Sequence, residues 1–325
     1  MSKVFLLDVG HGNCTIVRDQ DATAVIDCPT GAILLDTLDD MAISTVETAI
    51  ISHADKDHIA GIVSLLTSDR IRVERVLVNP DSQKASKIWE AFRVAVAVAE
   101  RKGSCEVITS LSTTTPGQIA VGAATIDVLS PSAALALTGV GGTTVRGRIV
   151  DANTLSAALR ISVEDGESIL LAADIDDVAL DEAVAAGTDL RANILVFPHH
   201  GGRPGSGDTA AFASRILDAV DPTTVVFSNG RGRHDTPRPE IVATVVSRPC
   251  AIACTQLSQR CQATNVDGSN YLETLRASGR DRGSSCAGSM TFELFPSASR
   301  LPGAGERHGQ FIDSCVTTPM CRKAS

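Results

Sequence analysis

An apolar run at 48–52 stops at Ser52, and His53, Asp55, Asp57 and His58 follow within six residues, just ahead of a helix-like stretch. Imidazole and carboxylate are the ligands that zinc, manganese and iron use in hydrolytic sites. The competing reading is a charged strand-to-helix loop with Asp57 as its N-cap. A lone histidine would favour that reading. Four such groups together favour a metal site, because unpaired buried charges are costly.

Two later segments have the same character. The run 169–172 leads to Asp174, and the run 194–197 leads through Pro198 to His199 and His200. Taken alone, Asp174 could cap the helix expected after Asp176. Gly201 and Gly202 let the backbone come close to a ligand. Six of the seven histidines thus lie in or beside metal-site segments, and His308 is left without a role.

The rest of the chain supplies a scaffold. Short Val- and Ile-rich runs at 4–9, 23–26, 48–52, 75–78, 106–110, 124–129, 155–161, 168–172, 194–197 and 224–227 read as strands. Helix-like stretches fall at 58–66, 85–101, 176–186, 209–220 and 239–246. Such alternation predicts a layered α/β architecture. The glycine-rich segment 135–151 reads as a mobile loop. Residues 1–246 are expected to form one domain that carries these segments. Residues 247–325 are expected to form a cysteine-containing extension on the sheet edge, with strands at 251–257 and 290–295 and an irregular tail from 297.

The apolar runs are too short to cross a bilayer, and the start lacks the features of a signal peptide. The chain is therefore expected in the cytoplasm, where its nine cysteines would be reduced or metal-bound. Cys254, Cys261 and Cys286 could hold a structural zinc ion or form a redox pair, but their spacing is not that of a zinc ribbon. Buried reduced thiols are the simpler reading. A net charge of −9 argues against a broad basic surface for duplex nucleic acid. One Trp and one Tyr leave little for stacking single strands.

In chain order, these pieces resemble the metallo-β-lactamase superfamily, and within it the branch containing the hydrolase domain of the competence protein ComEC. The matching segments begin with Asp8-Val9-Gly10-His11-Gly12, then Val25-Ile26-Asp27, then His53, Asp55, Asp57 and His58 as His-x-Asp-x-Asp-His. Asn153 with Ser156, the strand ending at Asp174, Pro198 to Gly201, and Ser228, Gly230 and His234 follow. His11 and Asn13 depart from the Gln and Asp usual in that branch.

The resemblance implies a four-layer αββα sandwich holding two divalent ions, zinc or manganese. His53 and Asp55 would bind the first. Asp57, His58 and one of His199 and His200 would bind the second, with Asp174 between the ions. Asn153 stands where many members have a further imidazole. Asp8 and Asp27 would support the ligand loops, with Ser228 near the last motif, and His11, His234, Arg231 and Arg233 would face substrate. Asp57 and His234 are the expected catalytic residues.

The implied chemistry is hydrolysis of a phosphodiester, as by a nuclease, with a hydroxide between the ions attacking phosphorus. The substrate would be a small anionic phosphoester or single-stranded nucleic acid. Lactonase- or esterase-type hydrolysis is the alternative, as is a partner-activated component of a defence or competence system docking through the C-terminal region.

Overall fold

The computed structural model describes residues 1–79, 81, 85–103, 105–205, 207–294, 299–300 and 303–322. The first sheet has eight strands, ordered β15-β14-β1-β2-β3-β4-β5-β6. These are β1 (Lys3–Leu6), β2 (Thr15–Asp19), β3 (Ala22–Ile26), β4 (Thr45–Ile51), β5 (Arg72–Val78), β6 (Glu106–Ile108), β14 (Met290–Glu293) and β15 (Ser299–Arg300). The second has seven, ordered β13-β12-β11-β10-β9-β8-β7. They are β7 (Ile119–Val121), β8 (Ala124–Ser130), β9 (Ala158–Val163), β10 (Ser168–Leu171), β11 (Ile194–Val196), β12 (Thr224–Phe227) and β13 (Ala251–Cys254).

The sheets face each other across one apolar layer. Val4, Val17, Ile26 and Ile50 from the first meet Ile126, Leu159, Ile169 and Val196 from the second, all buried. Helices cover the outer faces. Beyond the first sheet lie α1 (Ile33–Asp40), α2 (Lys56–Thr67) and α3 (Lys87–Arg101), which bury Leu34, Ile59 and Trp89. Beyond the second, after the short α4 (Ala133–Thr138), lie α5 (Asp177–Ala185), α6 (Thr209–Val220) and α7 (Pro239–Val246), burying Leu180, Phe212 and Ile241. The result is the expected αββα sandwich. Strands β10 to β13 run parallel with helices on one face and the partner sheet on the other. That double burial is why they read as unbroken apolar runs.

Several expectations change. The helix expected at 58–66 begins at Lys56, so Asp55, not Asp57, occupies the N-cap position, and its side chain makes no capping bond. The segment 135–151 is folded as α4 and a small hairpin, closed by Gly141 N–H to Val150 O at 2.8 Å and Val150 N–H to Gly142 O at 2.9 Å. The tail expected to be irregular carries α8 (Ala304–Cys315), which buries Phe311 and Ile312; residues 323–325 lie outside the described residues. From residue 247 on, the chain adds strands to both sheets, β13 beside β12 and β14 beside β1. Among the described residues, no helix is long and apolar enough to cross a membrane.

Candidate metal centre

The site lies beyond the carboxyl ends of parallel strands, where open α/β sheets leave a crevice. Strand β3 delivers Asp27, β4 delivers His53, β10 leads to Asp174, β11 to His199 and His200, and β12 to Ser228. The chain turns sharply there. Asp27, Ala173, His199, His200 and His234 all have positive φ between 46° and 56°. Non-glycine residues in that region are strained, and such strain persists where surrounding structure over-determines it.

Two groups of donors form. His53, His58 and Asp174 make one; His11, Asp57 and His200 make the other. Asp174 sits among four imidazoles. Its Oδ2 is 3.5 Å from His199 Nδ1 and 3.7 Å from His53 Nε2, and its Oδ1 is 3.6 Å from His58 Nε2 and 3.8 Å from His200 Nε2. Asp57 Oδ2 is 3.5 Å from both His11 Nε2 and His200 Nε2. His53 Nε2, His58 Nε2, His200 Nε2 and Asp174 Oδ1 are buried without a hydrogen-bond partner. Such orphans are costly. Nitrogen and oxygen ligands at about 2.0–2.2 Å from one tetrahedral ion lie about 3.4 Å apart, so the observed separations fit a divalent ion and are long for hydrogen bonds.

Supporting contacts set the ring orientations. His58 Nδ1 is 2.8 Å from Asp27 Oδ2, which also accepts from Ser52 Oγ at 2.6 Å. His200 Nδ1 donates to Ser228 O at 2.8 Å, and Ser228 Oγ donates to Gly12 O at 2.8 Å. Each contact leaves Nε2 pointing at the centre. Ser156 Oγ lies 3.3 Å from His53 Nδ1 and accepts from Asp174 N–H at 3.1 Å. A cradle is visible in the backbone too. A Cβ on Gly230 would lie 2.5 Å from His11 N, so only glycine lets these loops approach.

Electrostatics match the geometry. Burial alone would raise Asp174 and Asp57, yet the facing imidazoles hold both well below the usual carboxylate range. Burial lowers His11 to about 4 and lowers His199 as well. Burial also disfavours a charged His58, but Asp27 and Asp174 outweigh it and lift the ring to about 10.

The grouping departs from the sequence-based expectation. His58 joins His53 and Asp174, whereas Asp57 joins His200 and His11. Neighbouring residues on a helix point about 100° apart, so Asp57 and His58 face different sides. His11, expected to face substrate, lies inside the second group. Asp55 is half exposed at the rim, its Oδ2 3.6 Å from His53 Nε2. Asn153 lies in the turn before β9, its carbonyl accepting from Ser156 N–H at 3.0 Å. Ser52, which no motif singles out, bridges Asp27 to the His53 and His58 rings, and Ser156 of the Asn-x-x-Ser segment links His53 to Asp174.

Beside the second group opens a groove of about 1030 Å³, lined in part by His11, Asp57, Lys56, Arg233, His234 and Arg282. His234 is stacked obliquely on His11, with ring centroids 4.7 Å apart. Arg231, also expected to face substrate, is committed elsewhere. It donates to Asn265 Oδ1 and to the carbonyls of Leu257, Gln262 and Ala263 at 2.7–3.0 Å. Asp8 is wholly buried on the far side of this loop, accepting from Gln256 Nε2 at 2.8 Å and Ser285 Oγ at 2.7 Å. Cys254, Cys261 and Cys286 border a separate cavity away from these groups.

Comparison with known proteins agrees with this architecture. Residues 7–83 match the sequence profile of the metallo-beta-lactamase superfamily. No curated protein matches the sequence. Among solved structures, the chain is similar to YhfI from Bacillus subtilis, a metallo-beta-lactamase fold protein, at 14% identity and a TM-score of 0.50, over 78% of this chain and 96% of that one. It is also similar to a diphosphatase of the PhnP family, at 13% identity and a TM-score of 0.43, over 78% of this chain and 94% of that one. A metallo hydrolase from Ignicoccus hospitalis, Igni18, gives 13%, 0.44, 78% and 94% for the same measures. Layer order, the profile match and the structural likeness together establish that this chain has the metallo-β-lactamase superfamily fold.

Proposed function

We propose that the chain is a metal-dependent hydrolase of phosphodiester bonds that holds two divalent ions, zinc or manganese. One observation carries the reading. Four buried, unpartnered donor atoms converge at Asp174, and His200 links them to Asp57 on the wall of a large groove. His53, His58 and Asp174 would hold one ion, and His11, Asp57 and His200 the other, with Asp174 reaching towards both. His199 and Asp55 stand close enough to complete the sets. When bound, such ions act as Lewis acids and lower the pKa of water towards about 7.

The chain's own residues do the rest. Asp27 and the Ser228 carbonyl hold His58 and His200 with Nε2 inward. Lys56, Arg233 and Arg282 line the groove without side-chain partners among the described residues, which suits an anionic substrate. His234, on the groove wall against His11, would give a proton to a leaving oxygen. The His-x-Asp-x-Asp-His spacing supports kinship with the hydrolase domain of ComEC, and with it a small or single-stranded nucleic-acid substrate.

The test is a panel of bis-p-nitrophenyl phosphate, a lactone and a β-lactam, each with Mn²⁺ and Zn²⁺. Turnover of the phosphodiester is expected, with metal content and activity lost in Asp57→Ala and His58→Ala. Full metal and full activity in those variants would overturn the assignment. Turnover of the lactone alone would move the substrate class.

A further inference from the structure

The fold gathers four cysteines and the one histidine left unused by the centre described above. Cys254 ends β13, Cys261 lies in the turn that follows, Cys286 lies on the segment paired with Thr255, and His308 comes from α8. All four residues, with Cys321, border one enclosed cavity of about 20 Å³. That is room for a single water or ion. Thiols are weak hydrogen-bonding groups, so a water there would be poorly held.

We propose that Cys254, Cys261, Cys286 and His308 form a structural zinc site, separate from the histidine–aspartate centre. Cys₃His is a common composition for such sites. Cys286 Sγ and His308 Nε2 lie 3.4 Å apart. Sulfur at about 2.3 Å and nitrogen at about 2.0 Å from a shared tetrahedral ion would be separated by about 3.5 Å. No three of these donor atoms lie within 4.8 Å of one another, so metal binding here would require side-chain rotation about χ1 to close the set. His308 is chosen over Cys321 because its contact with Cys286 is already at ligand spacing.

The position gives the ion a purpose. The chain between Cys254 and Cys261 carries Gln256 and Gln259 to the groove wall. Gln256 accepts from Arg231 N–H at 2.8 Å and donates to Asp8 Oδ1 at 2.8 Å. An ion tying this turn to α8 would pin the groove wall to the C-terminal helix, closing a loop of more than fifty residues by a single cross-link.

Cobalt loading tests the proposal independently of activity. The histidine–aspartate centre offers only nitrogen and oxygen, so thiolate-to-cobalt charge-transfer absorption in the near ultraviolet reports the cysteine site alone. Wild type is expected to show that absorption and to hold one more ion per chain than Cys286→Ser or His308→Ala. Cys321→Ser is expected to keep both. X-ray absorption at the zinc edge of the unaltered protein guards against variants that do not fold, and sulfur scatterers at about 2.3 Å are expected. Scattering by nitrogen and oxygen alone, or a Cys254–Cys286 disulfide in the purified protein, overturns the site. Loss of the band in Cys321→Ser but not in His308→Ala overturns the ligand choice.

Discussion

His58 Nδ1 lies 2.8 Å from Asp27 Oδ2 in a fully buried setting. An ionised carboxylate can only accept, so this ring nitrogen carries the proton and Nε2 is presented to Asp174. The contact spans the turn after β3 and the first turn of α2, and it couples folding of the first sheet to the aim of a candidate ligand.

Asp27→Asn keeps the shape of that contact and removes its charge. The ring becomes less basic and less firmly oriented. Metal affinity is expected to fall about 10- to 100-fold, as for other outer-shell partners of ligating histidines. Competition against a chromophoric chelator measures it, and unchanged affinity would remove Asp27 from the ligand-orienting role.

Arg231 and Arg233, both beside the groove, separate by function. Arg231 satisfies three backbone carbonyls, so Arg231→Ala is expected to cost about 1–3 kcal/mol of stability through orphaned acceptors. Arg233 is exposed on the groove, and Arg233→Ala is expected to raise KM several-fold with stability unchanged. Urea unfolding and steady-state kinetics on both variants check the pair. A swapped pattern would reverse the roles.

Asp176 caps α5, accepting from Ala179 N–H at 2.8 Å and from Thr154 Oγ at 2.7 Å. Burial outweighs those bonds and raises the acid from 3.8 to about 6. A raised acid favours the protonated native state, so its stabilising effect is full below 3.8 and is lost as pH climbs through about 6. Asparagine caps as well as aspartate. Asp176→Asn is therefore expected to gain on the order of 1–3 kcal/mol over wild type at about pH 7.5 relative to about pH 4.5. Urea titrations at both pH values measure it, and a gap independent of pH would count against the account.

Much of the sandwich is legible in the residues because doubly buried parallel strands must be continuously apolar, as at 169–171 and 194–196. Elements that escape sequence reading are those whose reasons lie elsewhere in the chain. Helix α1 has no side-chain cap and spans only eight residues, so it depends on burying Leu34 and Leu38. Strand β2 is held by pairing with both β1 and β3.

The same division holds at the site. Sequence alone determines which residues can act as ligands, because strand ends and short turns place His53, Asp57, His58, Asp174, His199 and His200 together in a crevice. Tertiary structure alone decides how they are shared. Helical geometry parts Asp57 from His58, and the close approach at Gly230 brings His11 against Asp57. Arg231 turns towards the carbonyls of a distant turn, and α8 carries His308 to Cys286. Those outcomes depend on contacts between residues far apart in the chain, and local spacing holds no record of them.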